Sequence, residues 1–405
     1  PAEAAKTIDG SGKYLIPGLW DFHVHLSYDE RLTEDMPRLF LSYGVTSVRD
    51  TGGLMRRMLP IVEEMRAPGA IAPRVWFSGP LLDGEFVVYD GKSRREIGVR
   101  NATPDEARNT VRELKQQGVD FIKIYEMVSP EVFEAMVETA RELDLPIDSH
   151  VPLSMRAATA GPPVDAIQHL RNIEFDCAAN ADELHATRLE ILENPEGLPG
   201  YALRTALHDL QRLPAIAAYD EERCNKIIDD LVTTTQVPTL RMTALNLAPP
   251  SAKPDWEDAL SRVGEDVRAD WSEAAIQAAA NPIEEYTAFG VWARFLTGRM
   301  HERGVPIAAG TDTPIFISIP GYSLHAELEQ LVASGLTPLE ALHAATLQPA
   351  IFFGIDDEMG TIQPGMRADL VLLDADPLAD IANTRRISGV ISKGVFYSPG
   401  DLLNE

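Results

Sequence analysis

The sequence predicts an α/β protein: a (β/α)8 TIM barrel with a small β-sandwich domain formed from both chain ends. Three observations lead there. From about Trp20 to Phe353, short apolar stretches rich in β-branched residues alternate with stretches of helical period. That alternation is the mark of parallel strands joined by crossover helices. Eight candidate strands can be counted, which favours a closed barrel over an open sheet. The two ends differ, reading as short strands punctuated by turns with no helical period.

In order, the strands centre on Asp21–Leu26, Val45–Asp50, Arg74–Ser78, Asp120–Tyr125, Pro146–His150, Ala166–Leu170, Gln236–Leu240 and Pro306–Thr311. Thr103–Gly118 opens on Thr-Pro with an acidic first turn, and Ser129–Leu145 opens on Ser-Pro. Both are helix starts. The expected division is residues 18–355 as barrel and residues 1–17 with 356–405 as a sandwich whose N-terminal part is missing, since the chain begins at Pro1. Two long connections, about 172–235 and 243–281, each follow a strand. In a barrel they lie over the C-terminal face, where substrates bind, and are read as lids or pocket walls.

Composition narrows the partners. Of 405 residues, 62 are acidic and 36 basic, a formal net charge of −26. Such a surface repels phosphate backbones and anionic lipid, so the expected partner is a small-molecule substrate, with no nucleic acid and no membrane. No apolar run reaches the ~20 residues needed to span a bilayer. A cytoplasmic homo-oligomer is expected, although a leader could have stood before Pro1. Cys177 and Cys224 form no disulfide framework and are read as small buried or half-buried residues.

The chemistry begins at Asp21-Phe22-His23-Val24-His25-Leu26. On a strand, alternate side chains share a face. His23 and His25 then point one way, and Phe22, Val24 and Leu26 point toward the outer helices. Two imidazoles one strand repeat apart can converge on a cation. In Phe121-Ile122-Lys123-Ile124-Tyr125, the isoleucines mark the helix side and turn Lys123 inward. A buried ammonium needs an explanation: an ion pair with a carboxylate, or reaction with carbon dioxide to give a carbamate that can bridge two metals. His150, His169 and Asp312 fall at the ends of three further strands. Each alone reads as a hydrogen-bonded residue or turn former. Together, five strands deliver ligand-type side chains to one rim, where this architecture gathers its catalytic groups.

In order and local wording these residues resemble the amidohydrolase superfamily. Pro17 to His25 is similar to its first-strand signature, and Gly310-Thr311-Asp312-Thr313-Pro314 to its eighth. Gly44 to Gly53 and Phe121 to Tyr125 resemble the imidazolonepropionase-like branch that contains prolidase-like dipeptidases, and Gly365 to Asp374 resembles that branch's β-sandwich. The resemblance implies two divalent metal ions, with zinc foremost and manganese, cobalt or iron acceptable to the same ligands. His23, His25 and Asp312 would hold one ion and His150 and His169 the other, bridged by a carbon dioxide-derived carbamate on Lys123. Imidazolonepropionase lacks that lysine, which argues against that activity. Attack of a metal-bridging hydroxide on an amide or peptide would follow, with Asp312 moving the proton. Tyr125 and Arg171, inward by alternation, and Arg241, after strand seven, are candidates for substrate contact. His325, after the last strand, is a weaker one, read chiefly as capping or support. Two rivals stay open: a carbamate, urea or other xenobiotic substrate on the same site, and a non-catalytic relative.

Overall fold

The computed structural model describes residues 7–92 and 94–403. Their strands are β1 (Tyr14–Pro17), β2 (Leu19–Val24), β3 (Val45–Asp50), β4 (Arg74–Phe77), β5 (Leu81–Asp83), β6 (Gly98–Arg100), β7 (Ile122–Ile124), β8 (Ile147–Ser149), β9 (Ala166–Gln168), β10 (Thr235–Val237), β11 (Leu370–Leu373), β12 (Ile387–Ser392) and β13 (Val395–Tyr397). Two sheets are parallel, ordered β2-β3-β4 and β10-β9-β8-β7-β5-β6, and the third, β1-β11-β12-β13, is antiparallel. The α/β character and the parallel strands are those expected.

The helices start where the sequence signals them. Thr103 caps Pro104–Gln116 by accepting from the Glu106 N–H, and Ser129 caps Pro130–Glu142 by accepting from the Val132 N–H. Proline stands in the first turn of both, where its missing N–H costs nothing. Their apolar faces, with Val111, Leu114, Phe133 and Met136, share one core with Ile122, Ile124 and Ile147 of β7 and β8.

The parallel sheets meet at two seams. Gly79, at φ +75°, and Pro80 bend the chain between β4 and β5. β4 therefore pairs with β3 while β5 pairs with β7, and the Asp120 N–H donates to Phe77 O at 2.9 Å. On the other side, residues 306–313 lie between β10 and β2. Gln236 N–H donates to Pro306 O (2.8 Å), Phe22 N–H to Ala309 O (2.9 Å) and Asp312 N–H to His23 O (2.8 Å).

Several expected elements are corrected. Pro306–Thr311 is no regular strand: it makes isolated bridges only, Gln236 to Ile307 and, just beyond, Val24 to Thr313. At Gly310 an added Cβ would lie 2.7 Å from His23 Cβ and 2.8 Å from Val237, so only glycine permits the approach, and Asp312 then turns away at φ +60°. β10 stops at Val237, because Thr239 at φ +48° leads into a short helix, Leu240–Thr243. The parallel pair β5 and β6 was not expected. The two chain ends together form one four-stranded antiparallel sheet among the described residues; residues 1–6 of the expected N-terminal part lie outside them. Val371 and Leu373 fasten that sheet to the core beside Phe40 and Tyr43.

The first insertion holds helices Ile173–Asp176, Ala181–Glu193, Gly200–Ala217 and Glu221–Asp230, and the second holds Trp256–Ser261 and Glu265–Ala280. Cys177 and Cys224 are buried, as expected, but form a disulfide that ties the two ends of the first insertion together. Their separation of 47 residues gave no local signal. No helix among the described residues is long and apolar enough to cross a membrane.

Candidate metal centre

Strict alternation along β2 is broken by a bulge. The register shifts between Asp21 and Val24, setting Phe22 and His23 together against Arg49. Val24 and Leu26 join the main core. Phe22 lies in a separate cluster with Trp20, Val237 and, from the helix Leu347–Phe352, Ala350 and Phe352, and its ring centre is 3.7 Å from Arg49 Cζ. His23 and His25 remain free to face the same cavity.

Four imidazoles line that cavity, and the partner of each Nδ1 settles its tautomer. His25 Nδ1 donates to Gly52 O at 3.0 Å, and His150 Nδ1 to Glu126 Oε1 at 2.7 Å. His169 Nδ1 meets Thr239 Oγ1 at 2.7 Å, and that hydroxyl already donates to Pro238 O, so it accepts from the ring. His23 Nδ1 meets the Gln168 amide oxygen, whose own NH2 donates to Asp148 at 2.6 Å. All four rings therefore carry a proton on Nδ1, which makes Nε2 the nitrogen each can offer to a cation. Ligating histidines are oriented by outer partners of this kind. Burial pushes His23 down to about 4 and His150 to about 3, and holds His169 well below its usual value. His25 goes the other way: burial lowers it, but its hydrogen bond to Asp312 and that residue's charge outweigh burial.

Asp312 sits among them, its Oδ1 3.2 Å from His23 Nε2 and 3.1 Å from His25 Nε2. Burial raises its carboxyl, but the His23 contact outweighs that and holds it well below the usual range. Ligand atoms of His23, His25 and Asp312 all lie within 4.8 Å of one another. The His23 and His169 ring centres are 4.7 Å apart, and those of His169 and His150 are 4.9 Å apart, continuing the array. The cavity above it is about 430 Å³ and is also lined by Lys123, Tyr125 and Arg171.

Lys123 is buried on β7, and its Nζ lies 3.2 Å from Asp148 Oδ2 on neighbouring β8. The inward lysine thus has a carboxylate beside it. Arg49 contacts the same Asp148 oxygen at 3.2 Å. Burial pushes the Lys123 amine down to about 8, with Asp148 opposing, which leaves a neutral fraction at ordinary pH.

Tyr125 and Arg171 reach the cavity, but Arg241 and His325 do not, which corrects both as substrate contacts. Because β10 ends early, Arg241 falls in the short helix and turns its guanidinium to Thr311 O (2.8 Å), Ile315 O (2.6 Å) and Phe316 O (2.9 Å). It clamps the loop that carries Asp312. His325 lies within the helix Tyr322–Ala333, between Thr384 Oγ1 (2.9 Å) and Tyr43 O (3.0 Å), and burial pushes it down to about 3.

The residue that sequence reasoning missed is Glu126. It follows inward Tyr125, so alternation directs it outward. Instead it is fully buried, holding His150 and accepting from Arg204 Nε at 3.0 Å and Nη2 at 3.1 Å. His208 Nε2 lies 3.2 Å and Arg171 3.7 Å from it. Burial alone would raise this carboxyl, but Arg204 and His208 bring it well below the usual range. Arg204 and His208, four apart on one face of an inserted helix, were the available signal.

With this geometry in place, residues 296–396 match the sequence profile of the amidohydrolase family, bearing out the resemblance read from the motifs. N-acetylgalactosamine-6-phosphate deacetylase of Escherichia coli O157:H7 is 33% identical over 102 residues, 25% of this chain and 24% of that protein. The chain spans between 19% and 55% of the length of the curated relatives it matches. Among solved structures, bottromycin amidohydrolase shares the fold with a TM-score of 0.70 at 24% identity, covering 96% of this chain and 78% of its own. A Xaa-Pro dipeptidase with bound methionine gives 0.65 at 18% identity, covering 96% and 87%.

Proposed function

We propose that this chain, which carries an amidohydrolase-family match, is a metal-dependent hydrolase of amide or peptide C–N bonds in a dipeptide or N-acyl amino acid. One observation carries the reading: four Nδ1-protonated imidazoles and one ionised aspartate line the floor of a single cavity. The donor set fits divalent cations, since buried neutral imidazole and carboxylate are what zinc and its neighbours bind. His23, His25 and Asp312 would hold one ion, and His150 and His169 a second. Lys123 as its carbamate would join them: the neutral amine adds to the carbon of carbon dioxide and releases a proton. Asp148 would then keep Arg49 as its counter-ion. Divalent cations held there would supply polarisation of a scissile carbonyl and a water close to ionisation.

The chain's own groups do the rest. Asp312, ionised and fixed by two imidazoles and by the Arg241 clamp on its loop, takes the proton of the attacking water and passes it to the leaving nitrogen. Arg171 is suited to a substrate carboxylate. Its nearest acid, Glu126, lies 3.7 Å away and is already engaged by Arg204. The two hydrogen-bonded seams support the closed (β/α)8 barrel, in which all these groups share one rim.

A substrate panel tests the reading. N-acyl amino acids and dipeptides should be hydrolysed in preference to aryl carbamates and ureas. Turnover confined to the carbamates or ureas would overturn the substrate class.

A further inference from the structure

A second cavity, of about 500 Å³, opens from the first. The two share Arg171, Tyr201, Arg204, Trp271, Tyr286 and Phe316 as common walls. Its polar side is a column of Arg204, His208 and Arg212 at four-residue spacing on the inserted helix Gly200–Ala217. These groups are already matched: Arg204 and His208 by Glu126, and Arg212 by Glu174 (3.4 Å) and Glu285 (2.8 Å). The column therefore offers no free positive charge. Facing it are Met242, Leu245, Trp271, Phe289 and Ile317. At the shared rim, Phe316 and Tyr286 are 54% and 49% exposed, large aromatic surfaces with nothing over them.

The junction differs from the chamber behind it. There Arg171 adds a second guanidinium 3.7 Å from the Glu126 carboxylate that already pairs Arg204, and this one surplus positive charge suits a carboxylate. A substrate anchored there by the carboxylate of an amino-acid unit has two other branches at its Cα. The amide nitrogen must lie toward the histidines of the first cavity. The side chain is left to enter the second.

We propose that the second cavity is a specificity subsite for a large, neutral, apolar or aromatic side chain on the carboxylate-bearing half of the substrate. The inference rests on the hydrolase reading only for the position of the scissile bond. Burying a phenyl group in such a chamber is worth roughly 10- to 100-fold in affinity.

The test uses 3-phenylpropanoate, which cannot be hydrolysed, and propanoate, titrated calorimetrically into the whole metal-loaded protein. It is paired with kcat/KM for N-acetylphenylalanine and N-acetylglycine. Ala278→Trp and Ala274→Trp, on the wall helix Glu265–Ala280, fill the chamber from residues that do not line the first cavity and its four histidines. The phenyl compounds should be preferred roughly 10- to 100-fold in both assays. The preference should collapse in the filled variants while binding of propanoate is unchanged. Equal binding of the two acids by the unaltered protein, or an unchanged preference in both folded variants, would overturn the subsite. Selective binding with no turnover of any amide would leave the subsite standing and sink the hydrolase reading instead.

Discussion

Glu126→Gln removes one charge and almost no volume. In the unaltered protein this carboxylate takes two hydrogen bonds from Arg204, which is 8% exposed, and one from His150. Glutamine keeps one acceptor oxygen but leaves the buried guanidinium without a counter-charge. Breaking one side of a buried pair costs about 3–5 kcal/mol, and the retained acceptor puts the expectation at the lower end, about 3 kcal/mol. The same change frees the His150 ring, and loss of such an outer partner typically weakens metal binding by about 10- to 100-fold. Urea denaturation of the metal-free protein reads the first effect and chelator competition reads the second. Replacing the pair by apolar groups removes the unpaired charge, so Glu126→Gln with Arg204→Met should be less destabilised than Glu126→Gln alone. A stability loss under about 1 kcal/mol, or a double variant worse than the single, would refute the hub.

Arg241→Met removes the donors to three loop carbonyls and should lower kcat at least tenfold with metal content retained; unchanged kcat would end the clamp argument. His325 is neutral when buried, with a folded value of about 3 against 6.5. The unfolded chain thus binds the extra proton between those values, so stability is full above pH 6.5 and falls as pH drops toward 3. Between pH 6.5 and 5.5 the group should remove about 1 kcal/mol. Melting curves of His325→Asn should show a correspondingly flatter acid limb; parallel limbs would contradict the assignment.

Most of the frame was readable because each signal was local. The caps at Thr103 and Ser129 need only three or four residues to act, and the alternation in Phe121 to Tyr125 correctly sends Lys123 inward. What escaped depends on distant partners. The β2 bulge that sets Phe22 and His23 together arises from pairing with β3. Arg241 and His325 looked like pocket residues only until the end of β10 and the packing of the helix Tyr322–Ala333 were known. The Cys177–Cys224 bond needs helices on both sides of a long insertion. Glu126 was missed because its direction is set by Arg204, 78 residues on. The ligand-type residues that line one cavity were thus legible, while the groups that orient them were not.

A two-metal centre bridged through Lys123 is read out by elemental analysis of the purified protein. Two divalent ions per chain are expected, with a clear drop in Lys123→Ala and partial recovery when a short-chain carboxylic acid stands in for the carbamate. Less than one ion per chain in the unaltered protein, or full occupancy in Lys123→Ala without the acid, would contradict it.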